Sequence, residues 1–98
     1  MREPELVADC LQAMKEAIAI PVTLKCRIGV DDQEPRDALP DLLSHVQSRG
    51  IRSVIIHARK AWLKGLSPKE NRSIPPLDYD LVHEMKAAFP GMEIILNG

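Results

Sequence analysis

Neither sign of charge dominates this sequence. Thirteen lysines and arginines face 14 aspartates and glutamates, for a net charge of −1. A dedicated nucleic-acid-binding domain is commonly basic overall, and the composition does not announce one. Cysteine is scarce as well. Cys10 and Cys26 stand far apart, with no CxxC pair and no cysteine–histidine ligand spacing. That pattern argues against a structural zinc site and supplies no disulfide framework, so no metal is expected. Long apolar runs are missing too: nothing approaches the roughly 20 residues of a membrane span. The N-terminal Met1-Arg2-Glu3-Pro4-Glu5 is charged and leads into an amphipathic pattern, unlike a signal peptide. These absences favour the cytoplasm and no membrane partner. What remains is a chain of 98 residues, 45% hydrophobic and 28% charged, sized for one small globular domain or a piece of a larger one.

The periodicities alternate along the chain. Over residues 4–19, Leu6, Val7, Cys10, Leu11, Met14, Ala17 and Ile18 recur at helical spacing, with Pro4 suited to the first turn. Cys10 falls on this stripe and is expected to be a small core hydrophobe. Residues 22–28 read as a strand with Val22, Leu24, Cys26 and Ile28 on one face and Thr23, Lys25 and Arg27 on the other. A strand bracketed by helices is expected to have a parallel neighbour and two covered faces. Two cations on a covered face then call for an anion, a cofactor or a cavity. A second helix follows the acidic loop 30–34 and carries Ala38, Leu39, Leu42, Leu43 and Val46 inward. Pro40 suggests that its regular part starts only there, and Gly50 is its C-terminal cap. His45 is expected at its boundary, without a role.

The central strand, 53–59, places Val54, Ile56 and Ala58 on one face and Ser53, Ile55, His57 and Arg59 on the other. The loop from Leu63 to Pro76 is too long for a bare connector, and loops of such length in compact domains are functional or disordered. Its apolar residues and prolines argue for order, with Trp62, the sole tryptophan, as an anchor. Arg59, Lys60, Lys64, Lys69 and Arg72 stand here against one acid, Glu70, a run able to meet phosphates. Asp78 is expected to cap a third helix reaching Phe89, with Leu81, Val82, Met85 and Phe89 buried. A last strand, 92–96, delivers Asn97 and Gly98.

The order α-β-α-β-α-β predicts an α/β fold with parallel strands, whose polar ends Lys25, His57 and Asn97 gather at one edge of the sheet. A lysine, an imidazole and an amide beside a terminal glycine would suit a planar, phosphorylated cofactor. Three such units fall short of the eight of a closed barrel, and the chain reads as cut at both ends.

Residues 21–29, Pro-Val-Thr-Leu-Lys-Cys-Arg-Ile-Gly, followed by Asp31-Asp32-Gln33, resemble the FMN-dependent tRNA-dihydrouridine synthases. The stretch Ile55-Ile56-His57-Ala58-Arg59-Lys60-Ala61-Trp62-Leu63 narrows the resemblance. Gly65-Leu66-Ser67-Pro68-Lys69-Glu70-Asn71-Arg72 and Ile74-Pro75-Pro76-Leu77-Asp78-Tyr79 are similar to the A-type bacterial branch. The resemblance implies that residues 1–98 are a fragment of an FMN-binding TIM (β/α)8 barrel, about three β/α units of its catalytic domain. It implies reduction of tRNA uridine to dihydrouridine, with FMN as hydride carrier, NADPH as reductant and a cysteine as proton donor. By position, Lys25, His57, Asn97 and Gly98 would contact the flavin, and Arg59, Lys60 and Arg27 the substrate rim and tRNA. The family's catalytic cysteine belongs to a loop upstream of residue 1, so neither Cys10 nor Cys26 inherits its role, and the fragment alone is expected to be inactive. Another FMN barrel oxidoreductase is disfavoured by the 61–79 loop. A non-catalytic remnant, acting as a folding or interaction module, is the reading from a different class.

Overall fold

The computed structural model describes residues 1–98. Its elements run α1 (Pro4–Ala17), β1 (Leu24–Arg27), α2 (Pro35–Ser48), β2 (Ser53–His57), α3 (Tyr79–Ala88) and β3 (Glu93–Asn97). The strands form one sheet in the order β1-β2-β3, and both pairs are parallel. The α/β architecture predicted from the periodicities is the observed one. Its elements are a little shorter or shifted: α1 stops at Ala17, β1 keeps only four residues, and β3 extends to Asn97.

The alternation along the strands explains where the core lies. Val54, Ile56 and Ala58 are fully buried, and they join Leu39, Leu42, Leu43 and Val46 of α2 and Leu81, Val82 and Met85 of α3 in one cluster. Helices α2 and α3 therefore pack on one face of the sheet, with α1 packed against α2. The expectation of two covered faces is not met: Lys25 is exposed and Ile95 keeps 44% of its surface on the opposite face. The cause is topological. Neighbouring parallel strands taken in chain order place every crossover helix on the same side, which leaves the other face without a helix.

Local chemistry sets the helix ends. Helix α2 begins at Pro35, where Glu34 accepts from the Arg36 N–H at 3.1 Å, five residues before the start suggested by Pro40. Proline at the first turn fits a helix, and Pro40 in the second turn forfeits only the bond to the Arg36 carbonyl. At its other end Gly50 adopts φ +80, and Gly50 N–H and Ile51 N–H reach the carbonyls of Gln47 and Val46 at 2.9 and 3.2 Å. This is a Schellman motif, sealed by the buried pair Val46 and Ile51. Lys15 of α1 donates to the Arg49 and Gly50 carbonyls at 3.2 and 3.1 Å, which ties α1 to the negative end of α2. Asp78 caps α3 as expected, accepting from Leu81 N–H at 3.0 Å.

Helix α1 corrects one expectation. Ala8 and Leu11 are buried, whereas Cys10 is exposed and Leu6 and Met14 keep 53% and 50% of their surface. The apolar stripe is wider than the contact α2 offers, so Cys10 lies on its uncovered side.

Candidate functional site

The register decides which polar side chains meet. Arg27, His57 and Asn97 are partners across the three strands, and Lys25, Ile55 and Ile95 form the row beneath them on the same open face. Lys25 thus sits one row below His57 and Asn97, and Arg27 takes the level that the strand-end spacing had given to the lysine. Lys25, Arg27 and His57 line a cleft of about 580 Å3 with Leu66, Asn71 and Arg72 at the C-terminal edge of the sheet. Ligands of parallel α/β sheets bind at that edge.

His57 is the one buried polar residue of the chain, 7% exposed. The Arg59 guanidinium lies 3.3 Å from its Nε2. A guanidinium can only donate, so Nε2 accepts and the ring proton resides on Nδ1. Burial first, then the charges of Arg27, Arg59 and Lys25, hold the imidazole below its ordinary pKa. The ring is therefore neutral at neutral pH and offers one N–H donor. Against it rests Gly98, with φ +114: a Cβ there would stand 2.8 Å from His57 Cδ2 and 3.1 Å from a Leu77 methyl. Tyr79 Oη donates to the Gly98 carbonyl at 2.9 Å, and Ala58 N–H to that of Asn97 at 2.9 Å.

Beyond the strand ends, the loops after β1 and β2 stay zipped together. Ala61 N–H reaches Gly29 O at 2.9 Å, Asp31 N–H reaches Ala61 O at 2.8 Å, and Leu63 N–H reaches the Asp31 carboxylate at 2.8 Å. The long loop is ordered by its own motif. Ser67 and Glu70 form a capping box, with Ser67 N–H to the Glu70 carboxylate at 2.9 Å and Glu70 N–H to Ser67 Oγ at 3.2 Å. Hydrogen bonds from Ser67, its backbone N–H first, hold the Glu70 carboxyl below its ordinary pKa. Asn71 pairs with both backbone groups of Trp62 at 2.8 Å each.

The residues assigned to the rim occupy different situations. Arg27 donates to the Asn71 carbonyl at 2.7 Å and, more distantly, to that of Lys60 at 3.5 Å. Burial first, then the neighbouring Arg59 and Arg72, lowers its pKa. Arg59 donates to the Pro75 carbonyl at 2.7 Å as well as contacting His57. Lys60 extends over Gly29 and lies outside the cleft lining. Arg72 lines the cleft with no hydrogen bond or ion pair to its guanidinium. The basic run in the sequence contained it, but only the loop's folding singles it out. Cys26 points to the helix side, and burial pushes its thiol up to about 12.

The dihydrouridine synthase (Dus) family model matches residues 1–98. The chain is 55% identical over 98 residues to a tRNA-dihydrouridine(20/20a) synthase of Shewanella oneidensis, covering 100% of this chain and 29% of that protein. It is 56% identical over 99 residues to the Vibrio vulnificus protein of the same name, again over 100% of the chain and 30% of the relative. The Xanthomonas campestris protein of that name is 52% identical over 98 residues, 100% of the chain and 29% of the relative. The chain thus spans about three-tenths of the length of these curated relatives.

Proposed function

The chain belongs to the dihydrouridine synthase family, and from that premise we propose that its three β/α units supply one wall of a flavin site in a tRNA-modifying oxidoreductase. The fold it carries is a segment of that family's TIM barrel. The full protein reduces uridines of tRNA to dihydrouridine, at the 20/20a positions named for its relatives, with FMN as the hydride carrier and NADPH as the reductant. The observation that carries this reading is the open polar face of the sheet, where Arg27, His57 and Asn97 stand in one row above Lys25 beside the cleft.

The residues present fit such a cofactor. Lys25 has an ammonium without a protein partner at the cleft, His57 a single N–H donor, and Gly98 a niche that a Cβ would fill. FMN bound there would supply hydride chemistry that no side chain of this chain provides. Lys25 would stabilise negative charge on the ligand, and Asn97 and Gly98 would border its phosphate end. Arg59 holds the His57 tautomer, and Arg72 offers its free guanidinium to a base or phosphate of the substrate. Neither cysteine suits proton donation at the cleft: Cys10 is on α1, and Cys26, half-buried and packed against the helix-side core, has a thiol pushed up to about 12. The 98 residues alone are therefore inert in this reading.

The test is to purify the full-length protein, record its flavin absorption and assay dihydrouridine formation in unmodified tRNA with NADPH. Lys25→Ala is expected to lower flavin content and turnover. A colourless full-length protein that leaves the tRNA unmodified overturns the proposal. The open outer edges of β1 and β3 and the exposed Leu6 and Met14 favour a second reading, an interaction module. Concentration-dependent self-association of the 98-residue chain in sedimentation supports that reading, and a stable monomer excludes strand-edge pairing.

A further inference from the structure

The loop between β2 and α3 is pinned by contacts that reach past its own residues. Asn71 uses both polar atoms of its side chain on Trp62, nine residues earlier: Oδ1 accepts from Trp62 N–H and Nδ2 donates to Trp62 O, at 2.8 Å each. Its backbone carbonyl accepts from Arg27 of β1 at 2.7 Å. The next residue is Arg72, whose guanidinium has no partner and faces the cleft. Arg59 and Arg72 stand close enough to Arg27 to disfavour its charge. Like charges gathered at one edge repel, and a loop free to swing would carry Arg72 away from the strand ends. Two amide bonds to Trp62 and one charged bond from the sheet oppose that motion, while the Ser67–Glu70 box keeps the intervening turn compact.

The geometry points to Asn71 and Arg27 as positioning residues for the nucleic-acid substrate: they hold the loop so that Arg72 is presented over the cleft, and neither touches the substrate. The inference rests on the tRNA reading given above. It changes the part assigned to Arg27, whose Nη1 donates to loop carbonyls at 2.7 and 3.5 Å. It also gives a task to Asn71, whose side-chain oxygen and nitrogen each already hold a bond to Trp62.

Salt dependence of tRNA binding by the full-length, flavin-loaded protein separates positioning from contact. Removing one phosphate interaction flattens the slope of log K against log salt by about 0.7 to 0.9. Arg72→Gln removes a cation and is expected to flatten the slope by that amount. Asn71→Ala and Arg27→Lys remove no charge. Both are nonetheless expected to flatten it, with a roughly three- to tenfold rise in KM for tRNA. Combining either with Arg72→Gln should add nothing further. If Arg72→Gln flattens the slope while Asn71→Ala and Arg27→Lys bind as wild type, the positioning inference is overturned and the tRNA reading stands. If none of the three changes the slope, the tRNA reading of this rim falls and the inference falls with it. Should Asn71→Ala fail to fold, Arg27→Lys tests the same clamp from the strand side.

Discussion

Replacing Gly98 by alanine places one methyl group where the structure has no room for it. The new Cβ would lie 2.8 Å from His57 Cδ2, 3.2 Å from His57 Nε2 and 3.1 Å from Leu77 Cδ2. Carbon atoms in ordinary contact sit about 3.5 to 4.0 Å apart, so the ring must retreat by about 0.7 Å or more. His57 cannot easily do so, being 7% exposed and tied through Nε2 to Arg59 at 3.3 Å. The backbone adds its own cost, since φ +114 is a conformation that favours glycine; such strain is worth about 1–3 kcal/mol. Both penalties are relieved when the 97–98 turn moves off the imidazole, so they count against the arrangement assigned to the flavin. FMN affinity of the full-length protein should therefore fall by about five- to 150-fold, the equivalent of that strain energy. The assay is fluorescence titration of flavin-stripped protein with FMN. Gly65→Ala is the control, because it shares the strained backbone, φ +83, but its Cβ meets nothing within 4 Å. A Gly98→Ala protein that binds FMN as tightly as the Gly65→Ala control would refute the steric argument and the assignment of His57 and Gly98 together.

Four further outcomes follow from the same geometry in the full-length protein. The depressed His57 pKa means that the folded state binds fewer protons than the unfolded state just below pH 6.5, so its contribution to stability is complete above 6.5 and is lost as pH falls toward the folded value. Arg59→Met removes one of the charges responsible, and NMR titration of the ring should report an upward shift; an unmoved pKa would mean that the Arg59 charge does not contribute to the depression. Gly50→Ala should cost about 1–2 kcal/mol through its left-handed backbone, with a further decrease as the Lys15 ammonium is displaced from the end of α2, read as a lower Tm. Leu43→Ala empties a fully buried position between α2 and the sheet and should cost about 2–5 kcal/mol in denaturant unfolding. Glu70→Gln weakens the capping box. Amide exchange at Ser67 should quicken in this variant, and in the parent protein only when pH falls below the ordinary carboxyl value of 4.5, since a depressed carboxyl contributes above that value and loses its effect as it protonates.

Much of this protein could be read directly from residue order because the signals are local. The two-residue alternation of Val54, Ile56 and Ala58 against Ile55 and His57 separates the helix-packed face from the open one. Asp78 caps the helix beside it, Gly50 closes the one before it, and the polar groups at 25–27, 57 and 97 fall at strand ends that any parallel α/β order brings to one edge. Register and closure belong to the tertiary structure. Shifting β1 by two residues would return Lys25 to the level of His57, and nothing within its own sequence forbids that; pairing with β2 decides that Arg27 stands there. Arg27 also reaches loop carbonyls 33 and 44 residues away, contacts that the zipped loops bring to it and that no local pattern announces. Cys10 shows the same limit from the other side: helical spacing defines an apolar stripe, but only packing decides how much of the stripe is covered.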